Sequence, residues 1–279
     1  MRLQPNGPIV LLAMGLCLSP VAGRSEPNQA GTPHNENEKV ATDAASPRVV
    51  DLPLAGGGTQ RALYAEAPHA RAIVVMLPGG AGEVGIDESG DAHGKNFVVR
   101  TRALWNARGY SVLIPDAIDD TKMRGIRSSP RYAAIVSDLV AYARRQTSGP
   151  IFLLGTSQGS IAAMNGAASL REDQIAGVVL TESVSRQSRS HETVFDAHPE
   201  LVNVPALVVA NRDDACKVAP PQDAPKIAAA MTHSPQVNVI YVSGGVLRSN
   251  DCGSLSPHGY NGIEQFVVDS IVAWMNERH

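Results

Sequence analysis

The residues best able to do chemistry form the run Gly155-Thr156-Ser157-Gln158-Gly159. It matches G-x-S-x-G, the pattern of a nucleophile elbow, in which a sharp turn from strand to helix lifts a serine hydroxyl above the sheet. Neighbouring backbone passes so close that glycine is needed two residues before and two after the serine. A helix that starts there also aims free N–H groups and its positive dipole end at a developing oxyanion. Three fixed positions in five recur by chance, so the context matters more. The apolar run 151–154 leads straight in, and a small-residue stretch containing Gly166 leads straight out.

A nucleophilic serine needs a base and an acid that orients the base, and after such an elbow they follow in the order serine, acid, histidine. Val208-Val209-Ala210-Asn211-Arg212-Asp213-Asp214 offers two acids just past an apolar run. The position three past the small turn residue favours Asp214, with Asp213 as the alternative. Of the eight histidines, His258 alone lies between the last predicted strand and the last predicted helix, in Ser256-Pro257-His258-Gly259-Tyr260. His93 falls in a loop near the expected mouth of the site, within reach of a substrate. An oxyanion also requires two backbone donors. One is the N–H of Gln158. The other is assigned to Gly80 in the turn Leu77-Pro78-Gly79-Gly80-Ala81-Gly82, where glycine lets the backbone come close.

That turn carries a competing pattern. Gly80-Ala81-Gly82-Glu83-Val84-Gly85 fits G-x-G-x-x-G, the dinucleotide fingerprint, and follows a strand. However, the acidic, glycine-broken stretch 87–91 stands where a helix should open, and would repel a pyrophosphate. Asp116 is 31 residues beyond Gly85, where a ribose-binding acid is expected at about 20. No H-E-x-x-H, P-loop or EF-hand pattern occurs, so neither a metal nor a cofactor is expected.

Composition narrows the class further. With 24 Lys+Arg against 27 Asp+Glu, the 279-residue chain has a net charge of −3, which excludes the broad basic surface of a nucleic-acid binder. Hydrophobic residues at 43% suffice for a core. The 25 Gly and 19 Pro imply short elements and tight turns. Aromatics at 4% argue against a stacking platform for single strands.

Strand-like and helix-like runs alternate along the chain. Residues 48–54 and 62–67 flank Gly56-Gly57-Gly58, a hairpin signal. Apolar runs at 72–77, 111–114, 151–154, 175–181, 206–210 and 236–242 read as buried strands. Helical periodicity marks 96–108, 131–145, 157–170, 223–231 and 262–277, the last with Ile263, Phe266, Val267, Ile271 and Trp274 on one face. The alternation predicts a mostly parallel sheet covered on both faces, opened by an antiparallel hairpin.

The first residues are not expected to join that fold. Arg2, the apolar run 9–18, Ser19-Pro20 and the small residues Val21-Ala22-Gly23 read as a signal peptide over 1–23, too short to span a bilayer. Cys17 follows Leu16, not the small residue that precedes a lipid-modified cysteine. Residues 24–46, rich in Pro, Asn, Glu and Thr, read as a disordered linker, leaving 47–279 as one catalytic domain. Localisation is then periplasmic or secreted, without a stable membrane anchor. Of the three cysteines, Cys216 and Cys252 remain in the exported part. They are expected to form one disulfide joining the acid loop to the base loop.

Gly155-Thr156-Ser157-Gln158-Gly159, Asp214 and His258 in that order, after Leu77-Pro78-Gly79-Gly80, resemble the α/β-hydrolase superfamily over nearly the whole mature chain. The resemblance implies an eight-stranded, mostly parallel sheet and a serine–histidine–acid mechanism on a small-molecule acyl substrate, most simply a carboxylic ester. Two departures stand out. Pro78 replaces the histidine the family often has before the oxyanion glycine, and two adjacent aspartates occupy the acid turn. Only 24 residues (182–205) separate the strands around the expected lid, so the lid should be small. A non-catalytic binding protein on the same fold and a nicotinamide oxidoreductase are the competing readings.

Overall fold

A computed structural model describes residues 47–118 and 123–278. All lie within the compact unit Ala41–His279. The expected signal peptide and linker fall outside the described residues. Eight strands form one sheet: β1 (Arg48–Pro53), β2 (Thr59–Ala65), β3 (Ala72–Leu77), β4 (Tyr110–Pro115), β5 (Ile151–Thr156), β6 (Gly177–Thr181), β7 (Ala206–Asn211) and β8 (Val237–Val242). The spatial order is β1-β2-β4-β3-β5-β6-β7-β8. Pairing is antiparallel for β1–β2 and β2–β4 and parallel from β4 onward. The initial hairpin turns on Gly57 and Gly58, both at positive φ (86° and 87°).

Strands β3 to β7 are buried at every position, as their unbroken apolar runs demand once helices cover both faces. Ile73, Val75 and Leu77 of β3 pack into the core that takes in α3 (Pro130–Gln146), α4 (Gln158–Ser169) and α5 (Ala224–Ala230). Val74 and Met76 point into a second core with α1 (Phe97–Arg100), α2 (Arg102–Asn106) and α6 (Glu264–Asn276). This period-two split puts the elements around the elbow on a rigid base.

Two local expectations need correction. The helix expected over 96–108 is two short helices, because the Thr101 hydroxyl donates back to the Phe97 carbonyl at 2.8 Å and accepts the Trp105 indole N–H at 3.1 Å. Such back-bonding bends or breaks a helix. In α6, Val267, Ile271 and Trp274 are buried, whereas Phe266 is 58% exposed and off the inner face. Among the described residues, no helix is long and apolar enough to cross a membrane.

Candidate active site

β5 runs into α4 with no intervening loop, and Ser157 occupies the corner at φ 68° and ψ −117°. A non-glycine residue held there is strained, and surrounding structure must impose the conformation. The elbow glycines show how. A Cβ on Gly155 would lie 2.1 Å from the Gly159 carbonyl oxygen, and one on Gly159 would lie 2.1 Å from that of Leu77. Neither position can hold any other residue without moving backbone. Gly166 lets α4 pack on α3 and β5: its Cβ would meet Val136 at 2.5 Å and Leu153 at 3.1 Å.

The His258 ring bridges the elbow and the turn after β7. Its Nε2 lies 2.8 Å from Ser157 Oγ, and its Nδ1 lies 2.7 Å from Asp214 Oδ2. Both His258 and Asp214 are buried, so this chain of contacts is shielded from bulk water. Asp214 Oδ1 accepts the Cys216 N–H at 2.8 Å. Asp213 faces elsewhere, its exposed side chain accepting the Gly244 N–H at 2.6 Å. Of the two candidate acids, Asp214 is therefore the one brought to His258. Cys216 and Cys252 form a disulfide with Cα atoms 4.7 Å apart, linking the loops that carry Asp214 and His258. Asp214, Cys216 and His258 also offer atoms within 4.8 Å of one another, but the Cys216 sulfur is spent in the disulfide, so the cluster does not suit a metal.

The turn after β3 lies against the elbow. A Cβ on Gly79 would approach the Thr156 carbonyl oxygen to 2.9 Å. Gly80, at φ 62°, lines a cleft of about 860 Å³ together with Ser157 and Gln158. Among the described residues, nothing accepts a hydrogen bond from the Gly80 or Gln158 N–H. The two expected donors thus stand beside Ser157 with their N–H groups available.

Where Pro78 stands in place of histidine, a different group braces this turn. Arg127 is buried, and its guanidinium donates to the Gly80 carbonyl at 3.0 Å and the Pro78 carbonyl at 3.2 Å. Burial lowers the tendency of that guanidinium to hold its proton. Asn165 of α4 fixes the Arg127 backbone, donating to its carbonyl at 2.8 Å. Nothing in the stretch 124–129 singles Arg127 out, so only folding reveals its role.

Glu182, the first residue after β6, is a second unanticipated group. Its Oε1 accepts the Asn211 N–H at 2.8 Å, while Oε2 is buried without a hydrogen-bond partner. Burial first, and the nearby Asp214 carboxylate second, hold its carboxyl well above the usual range. Its position at the carboxyl end of a parallel strand, where sites gather in such sheets, was the available signal.

The dinucleotide pattern has no helix to support it. After Gly85 the chain makes a loop closed by the Ile86–Ala92 bridge, and α1 starts only at Phe97. Asp116 accepts the N–H groups of Val84, Ile86 and Ala117, so its carboxylate braces the loop and is not free for a ribose. His93 also departs from expectation: it pairs with Asp87 at 2.8 Å on the exposed face of this loop and is not in the cleft wall.

The fold is the α/β-hydrolase fold, and its elbow, acid turn and histidine loop converge at the carboxyl ends of the strands. Several solved structures share it at low identity. Est1E from Butyrivibrio proteoclasticus is 13% identical with a TM-score of 0.57, covering 82% of this chain and 98% of its own. A dienelactone hydrolase from Anabaena variabilis is 15% identical with a TM-score of 0.57, covering 84% and 99%. An acylaminoacyl peptidase from Pyrococcus horikoshii is 10% identical with a TM-score of 0.59, and the similarity spans 85% of this chain but 42% of that one. No protein-family model and no curated protein sequence matches the chain.

Proposed function

We propose that this protein is an exported serine hydrolase that cleaves carboxylic esters through an acyl-enzyme. The observation that carries the reading is the row Ser157 Oγ, His258 Nε2, His258 Nδ1, Asp214 Oδ2, with contacts of 2.8 and 2.7 Å. In the mechanism, Ser157 Oγ attacks the ester carbonyl carbon and gives its proton to His258 Nε2. Asp214 holds the imidazole by Nδ1 and stabilises its cationic form. The Gly80 and Gln158 N–H groups receive the oxyanion, worth about 3 kcal/mol per donor. His258 then protonates the leaving alkoxide as the intermediate collapses to the acyl-serine. Water, losing a proton to His258, attacks the acyl carbon and frees Ser157 with release of the acid.

The esterases and dienelactone hydrolase that share the fold support ester chemistry, and the peptidase supports acyl transfer more widely. The Cys216–Cys252 bond supports an oxidising compartment and hence export. A fluorophosphonate probe tests the reading: it should label the wild-type protein, and Ser157→Ala should abolish labelling. An unlabelled wild type would overturn it. Nitrophenyl esters of increasing chain length would then define the acyl group.

A further inference from the structure

The described lining residues of the cleft around Ser157 carry a charge opposite in sign to that of the whole chain. The net charge is −3, yet the described residues of the cleft wall include Arg124 and Arg189 and no aspartate or glutamate. Arg124 stands over the oxyanion turn, since a Cβ on Gly80 would lie 3.9 Å from its Nη2. Arg189 comes from the segment between β6 and β7, on the opposite side of the sequence from the oxyanion turn. Both side chains are exposed, and neither pairs with a described carboxylate.

Three described carboxylates near these segments are committed, while Asp251, between the lining residues Asn250 and Cys252, is exposed. Glu192 is buried and accepts the Gly125 N–H, the Ser128 N–H and the Ser128 hydroxyl. Asp223 is taken by Ser185, Arg186 and Lys226. Asp214 faces His258 and Cys216. Among the described lining residues, Ala81 and Val218 are the aliphatic side chains. A cleft built for a neutral aliphatic ester would be lined mainly by apolar side chains. Guanidinium is a planar fork that matches a carboxylate in two hydrogen bonds, and charge in a concave wall concentrates ligands of opposite sign.

We propose that this cleft selects esters bearing a carboxylate close to the scissile bond, with Arg124 and Arg189 as the groups that receive it. The inference rests on the serine hydrolase reading and narrows its substrate class. The carboxylate can belong to the acyl or to the alcohol part, so two matched pairs are needed. Mono-4-nitrophenyl adipate and its methyl ester differ in acyl-side charge. 4-Acetoxybenzoate and its methyl ester differ in alcohol-side charge.

The readout is the ratio of kcat/KM, acid over methyl ester, which cancels a general loss of activity. In at least one pair it should be about tenfold at low salt, as expected for screened attraction to two nearby cations. It should fall toward one in the double variant R124Q/R189Q, and shrink for the wild type at about 0.5 M salt. A wild-type ratio at or below one in both pairs overturns the inference, as does a raised ratio that survives the double substitution. Fluorophosphonate labelling of the same preparations separates the two levels. Labelled protein without charge preference retires only the substrate class, whereas unlabelled, inactive wild type retires the hydrolase reading and this inference with it.

Discussion

The Cys216 N–H donates to Asp214 Oδ1 at 2.8 Å, so the carboxylate that faces His258 is anchored by the residue that closes the disulfide to Cys252. Acid loop and base loop are therefore held together covalently as well as through the Asp214–His258 contact. The bond spans a sequence separation of 36, for which the chain-entropy account gives about 4 kcal/mol. Reduction should lower the melting temperature and also lower kcat, because a shift of about 1 Å at Asp214 is enough to misorient the imidazole. Thermal unfolding and ester turnover with and without reductant check this, and unchanged values for both would remove the disulfide from the account.

The elbow makes opposite predictions for its serine and its glycines. Ser157 sits at φ 68°, so Ser157→Gly should relieve roughly 1–3 kcal/mol of backbone strain and raise stability while removing activity. Gly155→Ala should destabilise by about 3 kcal/mol or more, since its Cβ would lie 2.1 Å from the Gly159 carbonyl oxygen. Urea denaturation of both variants reads the two signs directly.

Arg127 positions the oxyanion turn and, buried behind it, does not line the cleft. Arg127→Met would leave the Pro78 and Gly80 carbonyls without their donor, at about 1–3 kcal/mol each. The Gly80 N–H would lose its aim, so kcat should fall roughly a hundredfold with a smaller change in KM. Arg127→Lys, a single point donor, should recover only part of the loss. Loss of stability with kcat intact would confine Arg127 to a structural role.

Glu182 predicts a pH dependence of stability. Its folded-state carboxyl is held well above the ordinary value of 4.5, chiefly by burial and then by Asp214, with Tyr260 and the Asn211 N–H as its other polar neighbours. Above pH 4.5 the unfolded chain releases this proton while the folded protein keeps it, so the contribution to stability falls as pH rises until the folded group itself titrates. Glu182→Gln keeps the shape and removes the titration. Unfolding free energies at about pH 5 and about pH 8 should therefore shift in favour of the variant at the higher pH. A wild-type-to-variant difference that stays constant over that interval would show an ordinary carboxyl.

Much of this protein was written locally. The apolar runs of β3 to β7 and the glycines around Ser157 are read within a few residues, and the acid-then-histidine order and the two cysteines that flank Asp214 and His258 are read from the order of residues along the chain. Strand burial and tight-turn sterics depend on neighbours in the chain, and that is why those features survived folding unchanged. The choice of Asp214 over Asp213 did not have that property, because adjacent side chains of an irregular turn diverge, and which one meets a distant histidine depends on where β7 delivers the turn. The same holds for Arg127 beneath Pro78 and Glu182 beside Asp214. Each is decided by packing between segments tens of residues apart, where burial and hydrogen-bond satisfaction outweigh local propensity.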